Sequence, residues 1–238
     1  MSWVASDHDA EWPFELLGTS FELDSKLSAL LVVDLQQESL YKNSDTEFGI
    51  KYPSIVEYWN DRMTQFVMPN TKRLIKYFRE NGMRVVYTRN GNVTPHGDEL
   101  TERLKVKIKG SNIFTKVSHE ANYRGTSAYD VSRDIYPTVD DLVVDKLTSS
   151  AFHNTMLDHA LRNMGIRDIV TVGILTDACV LGTARVAAEL GYNSLICEDA
   201  CGTNTQRAHD EALLVHARIL GRVSTTNDVI SELNRSKR

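Results

Sequence analysis

Ser28-Ala-Leu-Leu-Val-Val-Asp34 sets five apolar residues between a serine and an aspartate. A strand with one wet face alternates apolar and polar residues. This run is apolar on both faces, as a strand inside a parallel sheet covered on both sides should be. Shorter runs of the same kind follow at Met83-Arg-Val-Val-Tyr-Thr88, Leu142-Val-Val-Asp-Lys146, Asp168-Ile-Val-Thr-Val-Gly173, Asn193-Ser-Leu-Ile-Cys197 and Arg222-Val-Ser224. Segments of helical period lie between them. Pro69-Asn70 opens a helix through Arg79, stopped by Asn81-Gly82, and another spans 154–164 and closes at Gly165. Thr176 or Asp177 begins a third, which runs to Leu190 and stops at Gly191. Gln206 to Leu220 is a fourth, and Thr226-Asn-Asp228 starts the last.

Strand and helix in alternation specify a parallel sheet with helices on both faces. Right-handed crossovers leave few topologies. The predicted fold class is therefore α/β, a three-layer α/β/α sandwich. No repeat, proline-rich linker or abrupt change of composition divides the chain. The expectation is one domain over 1–238, with 1–26 as an N-terminal extension. Residues 36–66, polar and dotted with aromatics, read as a loop or helical insertion near the site. The stretch 90–130 carries four glycines and reads as loop with short pieces of structure.

Over 238 residues, 42% are hydrophobic and 25% charged, which excludes a disordered or low-complexity chain. No apolar run approaches the roughly 20 residues of a membrane span. The acidic start, Met1 to Glu15, has no basic flank before an apolar core, so no secretory leader is expected. A net charge of −5 argues against a general nucleic-acid binder. Three cysteines, Cys179, Cys197 and Cys201, are too few and odd in number for a disulfide framework. Reduced thiols and a cytoplasmic location are expected. Cys197 and Cys201 have the spacing of half a metal site, but no second pair completes it, so no metal is predicted.

Open parallel sheets bind ligands beyond the carboxyl ends of their strands. Three reactive residues fall on that edge: Asp34 after the first strand, Lys146 at the end of the third, and Cys179 in the turn after the fourth. Each has an ordinary reading alone, as a turn cap, a snorkelling lysine and a buried inert thiol respectively. Their coincidence on one edge favours chemistry. A thiolate is a nucleophile, and a helix N-terminus beside a cation lowers the thiol pKa; Lys146 could be that cation and Asp34 the proton acceptor. Backbone N–H groups between Gly173 and Cys179 could supply an oxyanion hole. Arg89, Gln36 and the aromatics Phe152, Trp59, Tyr41 and Tyr123 are candidate substrate contacts, Phe152 foremost among the aromatics. His159, His209 and His216 lie on predicted helices away from the strand-end edge and read as structural or surface residues; His153, beside Phe152, is a weaker candidate base.

The run Gly173-Ile-Leu-Thr-Asp-Ala-Cys-Val-Leu-Gly-Thr-Ala184 resembles the nucleophile turn of the isochorismatase-like cysteine hydrolases. Leu31-Val-Val-Asp-Leu-Gln36 is similar to that family's first strand, and Val143-Val-Asp-Lys-Leu-Thr-Ser-Ser-Ala-Phe152 to its lysine motif. Leu190-Gly-Tyr192 and Glu198-Asp-Ala-Cys-Gly202 also match its pattern. The resemblance implies a six-stranded parallel sheet in the order 3-2-1-4-5-6. It implies a triad of Cys179 as nucleophile, Asp34 as proton acceptor and donor, and Lys146 as electrostatic partner. It also implies a cis peptide at Ile174–Leu175, with the N–H groups of Leu175 and Cys179 toward the substrate oxygen.

Nicotinamidases of this family carry an Asp-x-His-x-x-His metal site after the second strand, where this chain reads Tyr87-Thr-Arg-Asn-Gly-Asn92. The resemblance therefore implies a cofactor-independent hydrolase rather than a metal-dependent one. A thiol favours covalent acyl chemistry, and the Tyr-Thr-Arg-x-Gly pattern is similar to the branch acting on ureido and small acid-amide substrates. The leading expectation is cleavage of a small linear amide or ureido C–N bond through a Cys179 thioester. Thiol-independent hydrolysis of a vinyl ether, or a catalytically silent binding relative, are the alternatives. Relatives are commonly dimers or tetramers, so the resemblance implies a homo-oligomer. The partners expected are that and a small-molecule substrate, with no nucleic acid and no membrane.

Overall fold

The computed structural model describes residues 3–102 and 123–236. Its strands are β1 (Ser28–Val33), β2 (Arg84–Asn90), β3 (Leu142–Lys146), β4 (Asp168–Ile174), β5 (Asn193–Gly202) and β6 (Arg222–Ser224). They make one sheet in the order β3-β2-β1-β4-β5-β6, with every neighbouring pair parallel. This is the order that the resemblance implied. Helices α1 (Ala5–His8), α2 (Phe14–Leu17), α3 (Glu47–Lys51), α4 (Pro53–Arg62), α5 (Met68–Glu80), α6 (Leu157–Asn163), α7 (Leu181–Glu189), α8 (Gln206–Ile219) and α9 (Thr226–Arg235) surround it.

All six residues of β1 are buried, and its side chains divide between two cores. Leu30 and Val32 face a layer with Leu74, Ile75 and Phe78 of α5 and Val229 and Leu233 of α9. Ala29, Leu31 and Val33 face the other, with Leu157 and Leu161 of α6, Ala184 and Ala187 of α7 and Leu213 of α8. Two apolar layers explain why the strand cannot alternate. Threonines cap the last two long helices: Thr205 accepts from Ala208 N–H and Thr225 from Asp228 N–H, both at 3.2 Å.

Two expectations about the elements need correction. The helix expected to open at Pro69-Asn70 is continuous with helical structure from Pro53, through a wide π-type turn at Met63–Val67. A proline has no N–H to give the preceding turn, and the wide turn absorbs that missing bond without ending the helix. The fifth strand does not stop at Cys197. It continues to Gly202 through a register shift opposite Thr171 and Gly173, because Ala200, Cys201 and Gly202 are still buried against β4. Residues 103–122, within the stretch read as loop, lie outside the described residues. The N-terminal segment lies against α8, where Trp3 Nε1 donates to Asp210 Oδ1 at 3.2 Å. Among the described residues no helix is long and apolar enough to cross a membrane.

The chain order reverses at β1, whose neighbours are β2 and β4. Such a switch point leaves a crevice beyond the strand ends.

Candidate active site

Asp34 follows β1 with φ 54°, a conformation that turns its carboxylate toward β2. Its N–H donates to Thr88 O at 3.2 Å, and Thr88 Oγ1 donates back to Asp34 Oδ1 at 2.6 Å. Lys146, the last residue of β3, reaches across β2. Its Nζ lies 2.7 Å from Asp34 Oδ2 and 3.2 Å from Cys179 Sγ, and donates to Thr148 O at 3.0 Å. Cys179 sits in a wide turn, Thr176–Val180, between β4 and α7. The Leu175 carbonyl closes that turn by accepting from Ala178 N–H at 3.1 Å and Val180 N–H at 3.0 Å. The preceding peptide, Ile174–Leu175, is cis.

Asp34 and Lys146 are both buried, at 6% and 2% exposure, so each needs the other. Breaking a buried ion pair by removing one partner costs about 3–5 kcal/mol. Burial by itself lowers the pKa of Lys146, but Asp34 and then Cys179 outweigh it and the ammonium is held above its usual range. The thiol goes the other way from the sequence expectation. Burial, then the Asp34 carboxylate, push Cys179 up to about 12 against the opposing pull of Lys146. Desolvation disfavours the thiolate, and the cation expected to lower the thiol is already engaged by a carboxylate. The resting site therefore holds a neutral thiol beside an ion pair.

These groups open onto a cavity of about 240 Å³, lined among others by Asp34, Gln36, Trp59, Ile174, Leu175 and Cys179. It is walled mainly by apolar surface with a few convergent polar groups, as small-ligand sites are.

A model of the isochorismatase domain matches residues 28–228. The chain belongs to the isochorismatase family. Over 209 residues it is 30% identical to the ureidoacrylate amidohydrolase RutB of Variovorax paradoxus strain S110, covering 85% of this chain and 80% of that protein. Among solved structures, N-carbamoylsarcosine amidase from Thermoplasma acidophilum is 25% identical, with a TM-score of 0.61, over 84% of this chain and 96% of that one. A cysteine hydrolase from Pseudomonas syringae pv. phaseolicola 1448A superposes with a TM-score of 0.72 at 22% identity, over 92% of this chain and 98% of that one, and shares the fold.

Within this isochorismatase fold, the predicted substrate contacts part company. Gln36 lines the cavity, but its side chain is engaged in holding the walls: Nε2 donates to Tyr129 O at 2.7 Å, and Oε1 accepts from Asn90 N–H at 2.8 Å. Arg89 is not brought to the cavity. Its guanidinium is claimed by Asp145 at 2.7 Å and Asp130 at 2.9 Å and lies over the Tyr129 ring. Phe152 is not a wall either; it is buried in the core behind the sheet and packs on Tyr192 with ring centroids 5.8 Å apart. Trp59 and Tyr41 line the cavity instead, which reverses the ranking of the aromatics. Both belong to the 36–66 insertion, whose lack of a readable period concealed which side chains turn inward.

His209 is buried on α8, yet it lies closer to the turn that carries Cys179 than its helix suggested. Arg62 Nη2 donates to His209 Nε2 at 2.8 Å, which leaves Nδ1–H to donate to Thr176 Oγ1 at 2.9 Å. Arg62 also donates to Cys201 O at 2.8 Å and Glu198 O at 2.9 Å. Thr203 Oγ1 donates to Asp177 Oδ1 at 2.6 Å on the same turn. An arginine in the insertion thus braces the turn that carries Cys179. Spacing gives no sign of this, because the partners are more than a hundred residues apart.

His216 is buried, and His159 pairs with Asn163 on the exposed face of α6. Cys197 and Cys201 are buried free thiols on β5. Among the described residues, no three His, Cys, Asp or Glu side chains gather as a metal-holding group.

Proposed function

We propose that the chain is a cysteine amidohydrolase that cleaves a small linear amide or ureido C–N bond through a Cys179 thioester. The observation that carries this reading is the contact of one buried ammonium, Lys146 Nζ, with both Asp34 Oδ2 and Cys179 Sγ, the carboxylate and thiol that line the cavity. Asp34 takes the thiol proton as sulfur attacks the carbonyl carbon, and the C=O electron pair moves onto oxygen. The N–H groups of Leu175 and Cys179 are assigned to that oxyanion. The C=O bond re-forms as the C–N bond breaks, and Asp34 returns its proton to the departing nitrogen. Ammonia or an amine leaves. Water then attacks the thioester carbon and gives a proton to Asp34; the C–S bond breaks, the acid product leaves, and the departing sulfur takes the proton back from Asp34 to restore the thiol.

A thiol held near 12 cannot act from a standing thiolate population at neutral pH. In this reading the proton moves only as the carbon–sulfur bond forms. Lys146 remains protonated throughout and offsets the charge passing between Asp34 and Cys179. The ureidoacrylate and N-carbamoyl relatives support an amide or ureido substrate, and the cavity volume supports a small one.

The test is ammonia release from a panel of small amides and ureido acids, with intact-mass analysis during turnover of a slow substrate. Wild type should carry the acyl adduct and Cys179→Ala should carry none, with its turnover nearly abolished. Undiminished hydrolysis by Cys179→Ala would end this reading in favour of thiol-independent chemistry.

A further inference from the structure

Thr88 of β2 is 1% exposed and pairs in the sheet with Val33, the residue before Asp34. Its hydroxyl meets Asp34 twice. Asp34 N–H is shared between Thr88 O and Thr88 Oγ1, each at 3.2 Å, and Thr88 Oγ1 donates to Asp34 Oδ1 at 2.6 Å. The second bond has the short length of a hydroxyl giving its hydrogen to an ionised carboxylate. One side chain thus grips both the main chain and the carboxylate of a residue whose φ of 54° few non-glycine residues take. A conformation of that kind persists only where its surroundings over-determine it.

The ordinary reading is a buried strand threonine that has found the nearest acceptor. Thr171, on β4 at the other side of β1, speaks against it. It is 0% exposed, yet its Oγ1 has no hydrogen-bond partner among the described residues. Burial in this sheet therefore does not by itself press a threonine hydroxyl onto a neighbour. A hydroxyl has one hydrogen to give, and Thr88 gives it to Oδ1. Oδ2 is left to Lys146 Nζ at 2.7 Å, the ammonium that also lies 3.2 Å from Cys179 Sγ. The carboxylate is pinned at both oxygens, from β2 and from β3. Without the Thr88 hydroxyl it would be held at one oxygen and free to turn about its own Cβ–Cγ bond.

We infer that Thr88 is a positioning residue for the proton relay: its hydroxyl fixes the Asp34 carboxylate in the one orientation that meets the Cys179 proton. Thr88 does not line the cavity. Its loss should therefore slow the chemical step and leave substrate affinity alone. The inference rests on the proposed function only for Asp34 as the group that takes the thiol proton.

The experiment alkylates Cys179 of the full chain with iodoacetamide near neutral pH and follows the adduct by intact mass. Sulfur attacks the CH2 carbon, iodide leaves with the C–I electron pair, and the thiol proton passes to Asp34. Cys197 and Cys201 are buried, and Cys179→Ala supplies the blank. Thr88→Val keeps the shape and loses the hydroxyl; it should slow alkylation about 10- to 100-fold, as a displaced reacting group does. Thr88→Ser should return the rate to near wild type. Thr171→Val, the matched loss of a buried strand hydroxyl, should react as wild type does. Should Thr88→Val not fold, Thr88→Ala carries the same expectation. An unchanged rate in the folded hydroxyl-less variant, or a Thr88→Ser as slow as Thr88→Val, overturns the inference. On a hydrolysed member of the amide and ureido panel, Thr88→Val should lower kcat and leave KM unchanged; a raised KM with kcat intact overturns it as well. Failure of the amidohydrolase reading shows separately: wild type then releases no ammonia and forms no acyl adduct, while the order of alkylation rates persists.

Discussion

The ammonium of Lys146 lies 2.7 Å from the carboxylate of Asp34, with both side chains buried at the ends of strands separated by β2. That pairing bears on the state of the neighbouring thiol, together with its burial. A cation shared with a carboxylate cannot lower the Cys179 pKa as a lone lysine would, and the burial of the site raises it.

Asp34 and Lys146 should therefore move the thiol in opposite directions. Asp34→Asn removes a negative charge and should bring the Cys179 titration down, even as turnover falls by about 10²–10⁴-fold if Asp34 carries the proton as proposed. Lys146→Met should push the titration further up. Ultraviolet absorbance of the thiolate against pH reads both shifts, with Cys179→Ala as the blank because Cys197 and Cys201 are buried thiols also held high. A titration that rises in Asp34→Asn would contradict the charge balance described above.

His216 should make the fold sensitive to mild acid. It is buried, with Nε2 3.2 Å from Ser194 O, and burial lowers its pKa to about 4. The unfolded chain protonates this residue near pH 6.5, so between there and about pH 4 the unfolded state binds more protons. Stability should fall as pH drops through that window, by about 3 kcal/mol from this group. His216→Gln can still donate to Ser194 O and should flatten that part of the curve. Urea unfolding across the window decides; an equal slope in the variant would assign the acid sensitivity elsewhere.

Gly173 should tolerate no side chain. Its φ is 115°, and an added Cβ would overlap the carbonyl oxygen of Val33 on β1. Backbone cannot step aside there, because Val33 pairs with Gly173 inside the sheet. Gly173→Ala should cost about 3 kcal/mol or more. A urea midpoint within experimental error of wild type would show that β1 and β4 can separate locally.

Arg62 should matter to stability more than a surface arginine does. It donates to the carbonyls of Cys201 and Glu198 and to His209, and lies 3.5 Å from the Glu198 carboxylate. Arg62→Met leaves those buried acceptors without a donor, at a cost of about 3 kcal/mol. On the proposed chemistry it should also lower turnover, since His209 steadies Thr176 in the turn that carries Cys179. A stability loss below about 1 kcal/mol would mean that water replaces the guanidinium, as at an ordinary surface site.

The sequence by itself determined the layers and the edge on which the chemistry falls. Strands buried on both faces must be apolar throughout, so Ser28 to Asp34 could be read locally, and the charged residues that close the first and third runs, Asp34 and Lys146, mark the carboxyl edge. What Asp34, Lys146 and Cys179 do to one another was decided by the tertiary structure alone. Their charges act over distance and through desolvation, and neither quantity is written in spacing; the thiol expected to be lowered is raised, by burial first and by the Asp34 carboxylate next, against the pull of Lys146. The cavity wall was hidden for a related reason. Arg89 and Phe152 sit in legible motifs but are drawn off by Asp145, Asp130 and Tyr192, whereas Trp59 and Tyr41 lie in a segment without clear period and yet line the cavity. Local patterning encodes which face of a strand is apolar. Which side chains meet across the crevice depends on contacts between distant residues, and those exist only once the chain has folded.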